Sequence, residues 1–394
     1  MPSNSDRSPT GHVGQGTGSE GVARGLQDLL RSLVSRANIH HAVIAVETGD
    51  GSFRWIGAAG EAHPDGTPMR EDTPICIASV TKLYIAAAVL RLHEGGLVGL
   101  DEPITTYLPS SLIGGIHRLN GVDRTAAITV RHLLGHASGL PDFLEDRPKG
   151  GQSFLDALVA EGDRSWDLAE AMRIVRDDLR PHFSPQQLDA RRPKVRYSDT
   201  NYQLLMAIIE AVTGRPLHEV FDELLYARLG LRHTYHPGTR EDPSPGPATM
   251  WFGERPLNIP QAMRCLRDLN STMDDMLRFM RALVRGEVFE RPATLDAMLG
   301  HWNTFGFSLN PMPTSPSWPI EYGLGAMRFS IPRLFSPFRP VPAVVGHTGV
   351  TGSWLFHCPQ LDVLLAGTVD QGTAAAAPFN LTPRMLRLLE GIGR

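Results

Sequence analysis

A serine and a lysine stand three residues apart, at Ser79 and Lys82, where the sequence changes from an extended segment to a helix. Proline and apolar residues mark 73–78 as extended, and apolar side chains then recur at helical spacing until Gly95 and Gly96. Residues three apart lie on one face of a helix, so the two side chains are neighbours. The first turn of a helix has unpaired N–H groups that favour developing negative charge. Ser79 is therefore a candidate nucleophile with Lys82 beside it.

Two later stretches carry the other groups that a nucleophilic serine needs, which are a proton-transfer partner and donors for an oxyanion. Tyr197 stands where a loop enters a helix, so its phenol can point into a cleft. His347 and Thr348 end a strand between two glycines, Gly346 and Gly349, which allow the backbone to approach a ligand closely. These stretches predict the remaining parts of an active site.

Three short motifs in this order resemble those of the penicillin-recognising serine hydrolases, of the class C β-lactamase, D-alanyl-D-alanine carboxypeptidase and esterase type. The motifs are S-V-T-K at 79–82, Y-S-D at 197–199 and H-T-G at 347–349, with fitting phrases at 97–109, 130–141, 202–214 and 322–325. The resemblance spans roughly 42–369. An isolated S-x-x-K occurs by chance in many chains, whereas three motifs in order are specific.

The resemblance implies a role for each matching residue. Ser79 would attack a carbonyl carbon, and Lys82 and Tyr197 would form the proton-transfer pair. The oxyanion would lie between the backbone N–H groups of Ser79 and Val350, the residue after H-T-G. An unperturbed lysine is protonated near neutral pH. Either burial and nearby positive charge lower the pKa of Lys82, or Tyr197 is the deprotonated group, and the sequence leaves both alternatives open.

Two departures from the family pattern bear on the substrate. His347 stands where class C lactamases have lysine, so a permanent cation for a substrate carboxylate is missing. Asp199 stands where Y-x-N has an asparagine; it lacks the amide N–H donor, can pair with Lys82 and would repel a carboxylate. With Thr348 and Gly349 these residues form the predicted substrate-binding set. They favour an ester or a neutral amide as substrate. The alternatives are β-lactamase, D-Ala carboxypeptidase or D-aminopeptidase activity, acyl transfer from the same acyl-serine, and a non-catalytic homologue.

The distribution of helical and strand patterns predicts an α/β (α+β) fold. Helices are predicted over 20–37, 153–160, 167–177, 201–213, 217–229, 272–285 and 381–389, and strands over 41–47, 53–59, 323–329, 343–346, 353–358 and 363–369. Strands at both ends suggest one antiparallel sheet, over about 20–78 and 322–394, with a helical lobe at about 83–297 between them. The resemblance implies that this is a single β-lactamase/transpeptidase-like domain over 20–394.

Composition limits the remaining possibilities. The chain has 394 residues, 42% of them hydrophobic, and a formal net charge of -4, which gives no reason to expect nucleic acid or an anionic membrane as a partner. Three widely spaced cysteines argue against a disulfide framework or a zinc site. The polar stretch 1–19 is predicted to be a disordered tail without a signal peptide, and no apolar run is long enough for a membrane span. We therefore expect a cytoplasmic enzyme that acts on a small-molecule ester, amide or β-lactam, without a cofactor or metal.

Several other residues invite a functional interpretation. His132 and His136 have an H-x-x-x-H spacing, but no glutamate follows His132, so structural histidines are favoured over zinc ligands. Trp251, Phe252 and Trp302 stand in loops, where they could line an acyl pocket, although core packing is the favoured interpretation.

Overall fold

The computed structural model describes residues 17–305, 320–331 and 340–392. Its first helix runs over Thr17–Val34, so it begins three residues before the predicted start at Glu20. The predicted tail over 1–19 thus overlaps the helix at its end, and its residues 1–16 lie outside the described part. The assignment of 20–394 to one domain stays a prediction.

Short strands from both ends of the chain build the main sheet. In chain order the strands are β1 (His41–Thr48), β2 (Arg54–Gly60), β3 (Ile75–Cys76), β4 (Arg118–Leu119), β5 (Val122–Asp123), β6 (Trp251–Phe252), β7 (Arg255–Pro256), β8 (Asn270–Ser271), β9 (Asn303–Thr304), β10 (Glu321–Tyr322), β11 (Met327–Phe329), β12 (Val344–Thr348), β13 (Trp354–Cys358) and β14 (Val363–Thr368). Within the described ranges, eight of them form an antiparallel sheet in the order β2-β1-β14-β13-β12-β11-β10-β9. Because β1 pairs with β14, with Val43 opposite Thr368, the predicted sheet from both ends is confirmed.

Helices fill the middle of the chain and cover both faces of the sheet. They are α1 (Thr17–Val34), α2 (Thr81–Glu94), α3 (Ser110–Ile113), α4 (Val130–Leu134), α5 (Phe154–Glu161), α6 (Leu168–Arg173), α7 (Asp199–Thr213), α8 (Leu217–Phe221), α9 (Ala227–Leu229), α10 (Pro260–Leu266), α11 (Met273–Val284), α12 (Pro292–Leu299) and α13 (Ala377–Leu389). Most of them lie between β3 and β9, where the helical lobe is predicted. None of these helices, in the part of the chain that the structure describes, has both the length and the apolar character to cross a membrane.

Every residue of β1 is buried, because each face of the sheet has its own helical cover. Successive side chains of a strand point to opposite faces. Val43 and Ala45 accordingly join the core that contains α2 and α11, whereas Ile44 and Val46 join the core formed with α1 and α13. The first of these cores carries the beginning of α2, and therefore Ser79.

The predicted strand over 323–329 is wrong in its first half. Gly323 donates its N–H to the Ala326 carbonyl at 2.8 Å, so 323–326 is a tight turn between β10 and β11. Gly325 has φ +91°, and a Cβ there would lie 2.1 Å from the Cβ of Ala86 in α2. The turn is buried against that helix, which explains why its apolar sequence resembles a strand.

Two further helices begin earlier than predicted, as α1 does. α13 starts at Ala377 instead of Leu381, with Pro378 in its first turn and Pro383 inside it. α7 starts at Asp199 instead of Asn201. The second difference matters for the site, because it places the Asp199 carboxylate in the first turn of a helix.

Candidate active site

Ser79 lies in a short 3₁₀ turn that leads directly into α2. Ala78, immediately before it, has φ +46°, which is uncommon for a residue other than glycine. The Ile77 N–H donates to the Leu269 carbonyl, and the Leu269 N–H donates to the Thr81 hydroxyl, both at 2.9 Å. The strand pair β3–β8 thus fixes the segment that presents Ser79.

The structure brings the three predicted catalytic side chains together. The Lys82 ammonium donates to the Ser79 Oγ at 3.1 Å, and the Tyr197 phenol donates to the same oxygen at 2.8 Å. Lys82 stands in the first turn of α2, and Tyr197 stands two residues before α7. The predicted nucleophile therefore contacts both members of the predicted proton-transfer pair.

Lys82 forms a nearly buried ion pair with Asp199, with Nζ 2.5 Å from Oδ1 and side-chain exposures of 4% and 16%. Burial lowers the pKa of Lys82, but attraction to the carboxylates of Asp199 and Asp268 outweighs it, and the pKa lies above its ordinary value. Lys82 is therefore an ammonium at neutral pH in this state. The structure therefore does not support the alternative in which burial and nearby positive charge lower the pKa of Lys82.

Tyr197 also keeps its proton. Burial of its ring, followed by repulsion from Asp199, raises the pKa of the phenol well above the usual value. Both hydrogen bonds to the Ser79 Oγ are thus donated by protonated groups. Lys82 or Tyr197 can accept the proton of Ser79 only after it has lost its own proton.

Three carboxyl groups around this site have no motif of their own in the sequence, and sequence reasoning missed them. Asp142 accepts the backbone N–H of Asp199 at 3.0 Å, and burial raises its pKa well above the usual range. Burial and repulsion from Asp199 raise the pKa of Glu145 to about 7, and burial raises the pKa of Asp268 to about 7. Among the described basic side chains, only Lys82 forms an ion pair with Asp199, and none forms one with Asp142, Glu145 or Asp268. The surroundings of Ser79 are therefore rich in carboxyl groups, which their raised pKa values leave wholly or partly protonated at neutral pH.

His347 supplies no positive charge. Its Nε2 is 3.0 Å from the Tyr322 hydroxyl, and its Nδ1 is 2.7 Å from the Thr348 carbonyl oxygen. A ring N–H at Nδ1 can donate to that carbonyl. Burial and then the charge of Lys82 lower the pKa of His347 to about 3, so the imidazole is neutral. The Thr348 side chain is nearly buried, and its hydroxyl lies 3.9 Å from the sulfur of Met327.

The H-T-G segment ends in a turn against the Ser79 segment. A Cβ on Gly349 would lie 2.8 Å from the Cβ of Ala78 and 3.0 Å from the Ile77 carbonyl oxygen, so only glycine fits there without movement. The Gly349 N–H donates to the Ser353 carbonyl at 2.8 Å and closes the turn that contains Val350. The predicted oxyanion residues therefore belong to two segments in direct contact.

The two histidines at H-x-x-x-H spacing have different surroundings. His132 forms a reciprocal capping interaction with Thr129 at the start of α4. The His136 ring packs on Tyr197, with ring centroids 4.5 Å apart, and burial lowers its pKa well below the usual value. Each histidine thus has a structural role that accounts for its position.

Two of the three aromatics, Trp251 and Trp302, have packing contacts, and Trp251 and Phe252 form the strand β6 instead of a loop. Trp251 stacks on His40 with ring centroids 3.6 Å apart, and Trp302 lies beneath the guanidinium of Arg328. Phe252 is 43% exposed. A role for them in an acyl pocket stays a prediction.

The sequence and the fold of this chain are similar to those of known proteins. The Beta-lactamase family model matches residues 26–387, which include all the predicted site residues. The chain belongs to the β-lactamase family. Esterase EstB from Burkholderia gladioli is 35% identical over 196 residues, which cover 48% of this chain and 45% of the esterase. The chain thus spans about half the length of the curated relatives it matches.

Solved structures of this family match over nearly the whole chain. A D-stereospecific amidohydrolase from Streptomyces sp. is 26% identical with a TM-score of 0.67, and the match covers 94% of this chain and 99% of that one. A D-amino acid amidase from Ochrobactrum anthropi SV3 with bound D-phenylalanine is 21% identical with a TM-score of 0.73, covering 95% of this chain and 99% of the amidase. The second likeness shows the common fold alone.

Proposed function

We propose that this chain is a serine hydrolase that forms an acyl-enzyme at Ser79 and acts on carboxylic esters or neutral amides. The observation that carries the proposal is the pair of hydrogen bonds to the Ser79 Oγ, from Lys82 at 3.1 Å and Tyr197 at 2.8 Å. A hydroxyl held between two proton-transfer groups at the start of a helix is the arrangement that nucleophilic catalysis requires. The likeness to an esterase and an amidohydrolase supports the same chemistry.

The reaction follows from these contacts. Once Lys82 has lost a proton, its amine accepts the proton of Ser79 while the Oγ bonds to the substrate carbonyl carbon. The backbone N–H groups of Ser79 and Val350 bind the oxyanion, and the Tyr197 phenol donates its proton to the departing alcohol or amine. In the second half, water bonds to the acyl carbon and gives a proton to the Tyr197 phenolate. The Lys82 ammonium then returns a proton to the Ser79 Oγ as the ester bond breaks, which releases the carboxylic acid and restores all three groups.

Charge at the site supports the substrate class. Asp199 pairs with the ammonium of Lys82, whereas Glu145 and Asp268, with pKa values of about 7, are about half ionised at neutral pH and form no ion pair with a described basic residue. His347 is neutral, so it gives no compensating cation. A substrate carboxylate, as in penicillins or D-alanyl peptides, would meet repulsion here. Neutral or amine-bearing acyl groups fit this charge distribution better.

A matched pair of substrates tests this preference. We expect an aryl ester with a neutral acyl chain to have a kcat/KM roughly tenfold or more above that of its carboxylate-bearing isostere, since about 1.4 kcal/mol of repulsion gives that factor. Steady-state hydrolysis of the two esters at low and high salt provides the measurement, and salt should narrow the difference. Equal values at low salt would remove the electrostatic argument.

Labelling of the nucleophile tests the proposal itself. A fluorophosphonate probe should form one adduct, and peptide mass mapping should locate it at Ser79. Ser79→Ala, with the same circular dichroism and melting temperature, should remain unlabelled. A folded wild-type chain without an adduct would overturn the hydrolase proposal. Faster release of a bound acyl group to an added alcohol than to water would identify an acyltransferase instead.

A further inference from the structure

Ser353 is a buried residue that links the two segments expected to bind the oxyanion. One segment carries Ser79 at the start of α2, and the other carries Val350 after β12. Ser353 is 0% exposed, and its hydroxyl donates to the Ile77 carbonyl at 2.9 Å. This hydrogen bond runs from the second segment to the first.

The carbonyl that Ser353 holds belongs to the peptide just before the strained residue Ala78. The Ile77 carbonyl also accepts the N–H of Val80 at 3.1 Å. A residue with a positive φ and a side chain persists only where its surroundings over-determine its conformation. The Ser353 hydroxyl thus helps to hold the peptide orientation on which the direction of the Ser79 N–H depends.

The same residue closes the turn on the other side. Its carbonyl accepts the Gly349 N–H at 2.8 Å, and the Gln371 N–H donates to the Thr351 carbonyl at 2.7 Å. Val350 lies between these two fixed points. A Cβ on Gly349 would lie 2.2 Å from the Ser353 Oγ, so this glycine leaves the space that the hydroxyl occupies.

We propose that Ser353 is a positioning residue that sets the separation of the Ser79 and Val350 N–H groups through its hydrogen bond to the Ile77 carbonyl. This inference rests on the proposed acyl-enzyme function. Loss of the hydroxyl would let the two segments shift against each other. Binding of the ground-state ester would change little, whereas binding of the tetrahedral anion would weaken, because donors aimed at the oxyanion act mainly in the transition state.

The test is Ser353→Ala with a neutral aryl ester. We expect kcat to fall about tenfold or more while KM stays within about twofold, since removal of a whole oxyanion donor costs ~10²–10³ in rate. The affinity for a phenylboronic acid, which adds to the serine as a tetrahedral anion, should fall by a factor similar to that in kcat. Ser153→Ala is the matched control, because it removes another buried serine hydroxyl, the N-cap of α5, and should leave both values unchanged.

Ser353→Cys extends the test if the alanine variant does not fold. Its thiol fills the same space but is a weak donor, so kcat and boronate affinity should again fall together. Suppose that the wild type is labelled by the fluorophosphonate, and that the folded Ser353 variants keep the wild-type kcat and boronate affinity. That result would overturn this inference but not the proposed function. A wild type without a Ser79 adduct would overturn the proposed function and this inference with it.

Discussion

Replacement of Lys82 by methionine is expected to lower kcat/KM for ester hydrolysis by roughly 10³-fold or more. Methionine keeps the length and apolar stem of the side chain, but it cannot exchange a proton with the Ser79 Oγ, which lies 3.1 Å from Nζ in the wild type. Steady-state kinetics with a neutral aryl ester would measure the loss. Circular dichroism and thermal melting would show that the fold is retained.

The control for this prediction concerns the Asp199 carboxylate, which has no ion-pair partner once Lys82 is replaced. Asp199 would be an unpaired acid beside the nucleophile, so the double variant Lys82→Met with Asp199→Asn separates that effect from loss of the proton acceptor. Tyr197→Phe should lower the rate independently, through the leaving group. Retention of more than a tenth of the wild-type kcat/KM in Lys82→Met would contradict the assignment of the base.

Asp199→Asn is expected to raise the turnover of a chromogenic cephalosporin by about tenfold at neutral pH. The carboxylate contributes to the raised pKa of Lys82, and each unit by which that pKa falls gives about ten times more neutral amine. The asparagine oxygen can still accept the Lys82 hydrogen bond, and the substrate carboxylate no longer meets Asp199. Initial rates of cephalosporin hydrolysis would measure the gain.

The pH profile of the same variant gives an independent check. Because Lys82 must lose a proton to act, kcat/KM of the wild type should increase with pH above neutrality, and Asp199→Asn should move the increase to lower pH. Asp275→Asn is the matched control, since that buried aspartate binds the His233 N–H and the Thr234 hydroxyl instead of a catalytic group. A fall in cephalosporin turnover, or an unchanged profile, would refute this account of Asp199.

The sequence predicted the parts of the site that short local patterns encode. Ser79 and Lys82 were predictable from helical spacing, and Tyr197 from its position before a helix. Asp142, Glu145 and Asp268 were not, because their interactions with Lys82 or Asp199 arise only when separate loops pack around α2 and α7. Three motifs in order point to a candidate nucleophile, whereas an electrostatic environment depends on the tertiary structure.

The same distinction applies to His347 and to the turn at 323–326. The H-T-G motif gave the residue type at 347, but the hydrogen bond to Tyr322 and the burial that keep the imidazole neutral depend on neighbouring strands. The apolar residues at 323–326 were assigned to a strand because burial in a turn against α2 gives the same composition. In each case the sequence did not show which strands or helices of the same chain pack against the residue.

The pairing of β1 with β14 has a consequence for synthesis of the protein. The strand β1 leaves the ribosome long before its partner exists, so one edge of an apolar strand stays unpaired until β14 has been made. Unpaired edges promote association, and pairing between distant segments is slow. The turn that holds Val350 also comes late. Nascent chains should therefore acquire activity only after β14 has been made, and shortened chains that lack β14 should aggregate instead of forming a partial enzyme.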